Sequence, residues 1–262
     1  MYLTILLAII ARDRLALVHP ATVCVLLVVF VATLIRSTFG FGEALIAVPL
    51  LALFMPVNQA APLAVLLSIT IAAVVVVQDW RKIHLRSAGW LLAATLVSTP
   101  LGVLVVTRCN PVSVKALLGV LIGGFSAYLL AGKKPLVLHE DSRGWMLGCG
   151  LLAGVLGGAY GMNGPPLVIY GAMRRWTPQH FRATLQGYFL PASMMAMAGY
   201  WIAGLWVPAV THDYVIALPA MVPAIFLGRA INHRLCGDAF LKYVYIGLLA
   251  VGVALLLQAL HR

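Results

Sequence analysis

The chain has 262 residues, of which 63% are apolar and 10% are charged, whereas a soluble globular protein has about 45–50% apolar and about 25% charged residues. This composition excludes an ordinary soluble domain. The net charge of +11 does not indicate nucleic acid as a partner, because the basic residues lie in short gaps between apolar runs, as they do in loops between membrane spans. We therefore predict an all-α polytopic protein whose partner is the lipid bilayer.

The first twenty residues precede the first long apolar run. Residues 1–10 are apolar but have no basic stretch before them, and Ala11-Arg12-Asp13-Arg14 follows where a signal peptide would have small residues. We predict that residues 1–20 are retained and lie at the membrane interface.

Apolar runs of about 20 residues are long enough to cross a bilayer as helices. The runs of this kind are residues 57–78, 87–107, 112–131, 183–203, 213–228 and 241–260. Two further runs are interrupted by glycine-containing residues and then resume as a short apolar run. They are residues 21–35 with 44–55, interrupted by 36–43, and residues 145–156 with 165–173, interrupted by 157–164.

The order of these segments repeats along the chain, because each half begins with an interrupted pair and continues with three full spans. Phe39-Gly40-Phe41-Gly42 aligns with Tyr160-Gly161-Met162-Asn163, an offset of 121 residues (160 minus 39). We predict a first repeat in residues 1–132, a linker in residues 133–144 and a second repeat in residues 145–262.

The positions of the basic residues predict how the repeats lie in the membrane, because cytoplasmic loops are enriched in Lys and Arg. If each interrupted pair enters and leaves on one side, twelve of the 18 basic residues collect on one face and five on the other. If each pair crosses once, this bias disappears. The first arrangement gives each half an odd number of crossings, so the second repeat is inverted. It predicts a cell inner (plasma) membrane protein with a cytoplasmic linker and both termini outside.

The two interruptions predict a binding site. Backbone polar groups cannot remain unpaired in hydrocarbon, so a break at membrane depth has to be buried in protein or line a watery cavity. Paired breaks in inverted halves indicate a transporter's site near the midplane. A helix that begins there directs free N–H groups and partial positive charge at the space before it, which suits an anion. Asn163 is predicted to cap the second short helix.

The predicted substrate-binding residues are those of the two breaks. They are Phe39, Gly40, Phe41, Gly42, Glu43, Tyr160, Gly161, Met162, Asn163, Gly164 and Pro165. An ionised residue at membrane depth is usually functional, and Glu43 has three open roles: proton carrier, cation ligand or stabiliser of its own helix N-terminus. Arg36 has three as well, since it can pair with Glu43, attract an anion or extend to the membrane interface.

At these residues the chain resembles the sulfite exporter TauE/SafE family of bacterial membrane permeases, also called the toluene-sulfonate uptake permease superfamily. The likeness covers nearly the whole chain. It rests on Phe39-Gly40-Phe41-Gly42-Glu43-Ala44 with Val48-Pro49-Leu50-Leu51, on residues 157–170, and on Phe181-Arg182-Ala183-Thr184. The resemblance implies a secondary or facilitative carrier of small sulfur-containing or organic anions such as sulfite, thiosulfate, sulfonates and sulfoacetate.

Several alternatives remain open. Arg182 either sets topology after a cytoplasmic loop or guards an entry, and the coupling ion is a proton or sodium. A homodimer, a channel, a membrane-embedded enzyme and an assembly subunit are also to be considered. The four cysteines are far apart and the histidines fall in loops or at segment ends, so we predict no metal site, no cofactor and no enzymatic activity.

Overall fold

The computed structural model of the chain describes residues 20–79, 85–132, 138, 142–174, 178–232 and 238–260. These residues form ten α-helices and contain no strand, so the predicted all-helical class is confirmed. The helices are α1 Pro20–Phe39, α2 Glu43–Leu51, α3 Val57–Asp79, α4 Leu85–Arg108, α5 Pro111–Leu130, α6 Arg143–Tyr160, α7 Gly164–Met173, α8 Pro178–Ile202, α9 Pro208–Asn232 and α10 Asp238–Leu260. Residues 1–19 of the predicted interfacial segment 1–20 and most of the 133–144 linker lie outside the described residues.

Five of these helices, α1, α3, α4, α5 and α9, contain described stretches that are long and apolar enough to cross a membrane. Large apolar side chains point outward from several of them. Val97 of α4 and Val120 of α5, for example, are 75% and 56% exposed. Such surfaces are stable in lipid and costly in water, which agrees with a multi-pass membrane protein.

Both predicted interruptions are present, and each is shorter than the sequence indicates. Helix α1 continues through Phe39 and α6 continues through Tyr160, so the breaks comprise only residues 40–42 and 161–163. The reason is local, because the first residues that leave helical geometry are Gly40 and Gly161, with φ of 84° and 68°. Positive φ is readily adopted by glycine alone, and the residues before each glycine keep their helical conformation.

The short helix α2 lies at the centre of the molecule. Eight of its nine residues are buried, Glu43 among them. It packs against α1, α3, α5 and α10. A helix this short, about 13 Å long at 1.5 Å per residue, cannot cross a bilayer by itself.

Helices of the first half pack against helices of the second half in a regular pattern. Helix α1 packs on α9 and α6 packs on α4, so the first helix of each half contacts the fourth helix of the other. Helices α3 and α8 contact each other, as do α5 and α10. Each of these last two pairs consists of helices at corresponding positions in the two halves.

The direction of α5 relative to α10 follows from their glycine contacts. Gly119 of α5 lies against Leu256 and Gly252 of α10, whereas Gly123, one turn further along α5, lies against Leu249. Later residues of α5 therefore contact earlier residues of α10, so these two corresponding helices are antiparallel.

Candidate functional site

The two breaks line one cavity of about 20 Å³. Residues 41–45 and residues 161–165 form most of its wall, and Arg36, Ser68 and Phe189 complete it. The site therefore combines the start of α2, the start of α7 and single side chains from α1, α3 and α8.

The cavity lies near the middle of helices α3 and α8. Ser68 has eleven residues of α3 on either side of it, and Phe189 is close to the midpoint of α8. At about 1.5 Å per residue, Ser68 is roughly 16 Å from each end of its helix, which is about half the thickness of a hydrocarbon core. The cavity therefore lies at mid-length of α3 and α8.

Arg36 and Glu43 form a buried ion pair in the cavity wall. Nη1 of Arg36 donates to Oε2 of Glu43 at 2.6 Å, and the two side chains are 4% and 0% exposed. The same Nη1 donates to Oγ of Ser68 at 2.7 Å, and the guanidinium carbon lies 4.9 Å from the centroid of the Phe189 ring. Of the three roles open to Arg36, the structure shows the pairing with Glu43 and excludes extension to the membrane interface.

Oε1 of Glu43 lies in the cavity wall without a hydrogen-bond partner among the described residues, and Glu43 is 1% exposed. Buried acceptors of this kind are uncommon unless a ligand or water serves them. The side-chain amide of Asn163, which also lines the cavity, interacts with the hydroxyl of Tyr188, and the same hydroxyl pairs with Thr95.

Eight of the eleven predicted substrate-binding residues line the cavity, namely Phe41, Gly42, Glu43, Gly161, Met162, Asn163, Gly164 and Pro165. The other three lie outside its wall. Phe39 is the last residue of α1, Gly40 forms the turn after it, and Tyr160 donates its hydroxyl to the carbonyl of Val114 in α5. Arg182 lies in α8, but its side chain is outside the described part of the structure.

Sequence reasoning missed Ser68 and Phe189. Ser68 is a single hydroxyl within an apolar run, which is a weak signal, and nothing in the sequence distinguishes Phe189 from other apolar residues. Ser193 was missed as well. Its hydroxyl lies 3.1 Å from that of Ser68, so it extends the polar network around Arg36 to a second residue of α8.

The chain matches the sulfite exporter TauE/SafE family over residues 25–255. This span includes both breaks and every residue of the cavity wall. The chain belongs to this family. Membership makes it a membrane transport protein and confirms the resemblance that its two glycine motifs indicated.

A related protein is the probable sulfite/organosulfonate exporter TauE of Cupriavidus necator. The two sequences are 28% identical over 186 residues, which cover 70% of each chain. No solved structure matches the chain.

Proposed function

We propose that this family member is a secondary or facilitative carrier of small sulfur-containing or organic anions, such as sulfite, a sulfonate or sulfoacetate. The observation that carries the proposal is the meeting of two helix N-termini, those of α2 and α7, at one cavity beside the midpoints of α3 and α8. The Cupriavidus relative is named a probable sulfite/organosulfonate exporter, which agrees with this substrate class.

The electrostatics of the cavity favour an anion. Each helix N-terminus carries about half of an elementary positive charge. The N–H groups of the first turn have no partner within the helix, and in α7 Pro165 and Pro166 contribute none of them. The charges of Arg36 and Glu43 cancel. The two helix termini therefore leave the cavity positive, in a surround of low dielectric constant where such a potential is strong.

The size of the cavity indicates how such a carrier would operate. A volume of about 20 Å³ accommodates roughly one water molecule, and a sulfur oxyanion is larger than that. The breaks therefore have to separate when substrate binds. This requirement fits alternating access, in which two halves move around a central site, better than it fits a channel with a continuous path.

We further propose that residues 1–132 and 145–262 are inverted repeats, with the 133–144 linker in the cytoplasm and both termini outside the inner membrane. The antiparallel packing of α5 and α10 supports inversion, because corresponding helices of parallel repeats would run the same way. The carbonyl of Leu138 accepts from Arg174, and the Arg143 guanidinium lies 6.0 Å from the Trp90 ring. These contacts bring together segments assigned to the cytoplasmic side.

A second cavity supports the assignment of the opposite side. It has a volume of about 470 Å³ and is lined by residues 52–59, the start of α5 and the end of α10. The predicted topology assigns all three segments to the outer face. Their convergence on one cavity is expected if that assignment is correct.

Binding to the purified protein tests the proposal. Thermal-shift and calorimetric measurements with sulfite, sulfate, thiosulfate, sulfoacetate and simple carboxylates should identify at least one stabilising anion. Gly164→Leu should abolish this binding because the leucine side chain would extend into the cavity wall, whereas Gly148→Leu, at a position with nothing within 4 Å, should preserve it.

Gly42→Leu tests the first break, and Gly204→Leu is its matched control because both glycines have positive φ and Gly204 lies outside the site. Unchanged anion binding in both Gly42→Leu and Gly164→Leu would show that the site is elsewhere. Saturable uptake and counterflow in proteoliposomes would identify a carrier, and flux without either property would identify a channel.

A further inference from the structure

The ion pair in the cavity occupies the place where the helix termini favour an anion. Glu43 is the first residue of α2, so its carboxylate lies at the positive end of that helix. It is not a helix cap, because Gly42 holds the cap position, no side-chain cap bond forms there, and Glu43 bonds Arg36 of a different helix. The carboxylate is thus an anionic group already bound at the proposed anion site.

We propose that Glu43 is an internal competitor for this site. Its carboxylate holds Arg36 when no substrate is bound, and a transported anion replaces it on the guanidinium. This inference rests on the proposed function and names Arg36 as the residue that binds the anionic group of the substrate. Ser68 and Phe189 hold the guanidinium in place from α3 and α8 during the exchange.

The structure favours this role for Glu43 over that of a cation ligand. A metal cation bound to the carboxylate would face Nη1 of Arg36, which lies 2.6 Å from Oε2. Two positive charges at that distance repel strongly at low dielectric constant. Arg36 suits an incoming sulfonate or sulfite instead, because a guanidinium binds planar and tetrahedral oxyanions through paired N–H groups.

Displacement of Glu43 from Arg36 changes the protonation state of the Glu43 carboxylate. Once an anion occupies Arg36, two negative groups share one guanidinium, and an unpaired carboxylate in a buried site is costly. Binding a proton from water restores neutrality: the proton joins a carboxylate oxygen of Glu43, and only the hydrogen bond to Arg36 is lost. Each anion would therefore enter the site together with one proton.

Among the described side chains around the cavity, Glu43 is the ionisable group that can take up this proton. Arg36 of α1 is the other charged residue in the cavity wall, and α3 contributes Ser68. Lys115 of α5 lies in the second cavity, at the far end of α2. Helix α10 also packs on α2, and its residues 248–260 include no ionisable side chain. The Tyr188 hydroxyl of α8 lies near Asn163 and is paired with Thr95.

Calorimetry on the wild type and Glu43→Gln tests the exchange. Methanesulfonate is a suitable probe because it carries a single negative charge that persists near neutral pH, and titrations in two buffers with different ionisation enthalpies count the protons taken up. We expect the wild type to take up about one proton per anion. A glutamine side chain at this position can neither compete as an anion nor bind that proton, so the variant should take up none and bind about tenfold more tightly or better.

Asp213→Asn is the matched control, because Asp213 lies at the start of α9 and pairs with His212 outside the cavity. It should behave as the wild type does. An infrared difference spectrum of the wild type with and without anion gives a second measurement that needs no variant. A carbonyl band of a protonated carboxylic acid should appear when the anion binds.

The outcomes separate this inference from the proposed function. Anion binding by the wild type without proton uptake, or equal affinity in wild type and Glu43→Gln, would overturn the exchange and leave the carrier intact. Failure of every anion to bind either protein would overturn both. If Glu43→Gln does not fold, an absent carboxylic acid band in the wild type refutes the exchange by itself.

Discussion

Gly157 lies directly against the side chain of Asn163, and a methyl group on Gly157 would be 2.5 Å from Nδ2 of that amide. Gly157 is in the last turn of α6, and Asn163 immediately precedes α7. The amide can occupy the cavity wall because residue 157 has no side chain. This glycine therefore positions a polar group of the site without lining the cavity itself.

Gly157→Ala should consequently weaken anion binding more than it weakens the fold. The added methyl group has to displace the Asn163 amide from the cavity wall, and we expect a loss in affinity of about tenfold, which is the usual size for one misplaced hydrogen bond. Calorimetry with the identified anion measures it. Gly148→Ala, on the same helix with nothing within 4 Å, is the control, and equal affinity in both variants would contradict the role given to Gly157.

Gly158→Ala should show the opposite pattern, a large effect on stability. A methyl group there would overlap the carbonyl oxygen of Thr99 in α4, so α4 and α6 would have to separate. Overpacking of this kind costs about 1–3 kcal/mol. The thermal midpoint in detergent should fall, whereas Gly148→Ala should leave it unchanged or raise it slightly. A Gly158→Ala protein as stable as the wild type would show that the two helices are less closely packed than described.

Arg36→Lys should reduce transport although it keeps the positive charge. The guanidinium bonds Glu43 and Ser68 through one nitrogen and stacks on Phe189, and a lysine ammonium cannot make all of these contacts with planar geometry. We expect uptake into proteoliposomes to fall about tenfold or more. Arg108→Lys, at the exposed end of α4, should transport normally. If both variants matched the wild type, a point charge would suffice at position 36.

Cys109 offers a test of the proposed orientation. It is an exposed free cysteine in the turn between α4 and α5, which the topology assigns to the outside. A membrane-impermeant maleimide should label it in intact cells when Cys24, Cys149 and Cys236 are replaced by serine. Cys109→Ser in the same background is the control. Labelling only after the cells are lysed would place this turn in the cytoplasm and refute the orientation, as would a cytoplasmic reporter at the C-terminus.

The sequence by itself determined the helical class, the existence of two breaks and the full spans that α3, α4, α5 and α9 contain. Each of these features depends on neighbouring residues: about 20 apolar residues suffice for a span, and a glycine that adopts positive φ ends a helix where it stands.

Only the tertiary structure decided which side chains meet in the cavity. Arg36 pairs with Glu43 rather than reaching the interface, and Ser68 and Phe189 join them from helices far along the chain. Such contacts depend on how helices that are distant in sequence pack together. Packing is set by the shapes of whole helix faces, and a local sequence pattern does not predict those shapes. For the same reason the sequence placed Tyr160 in the site, whereas packing directs its hydroxyl to Val114.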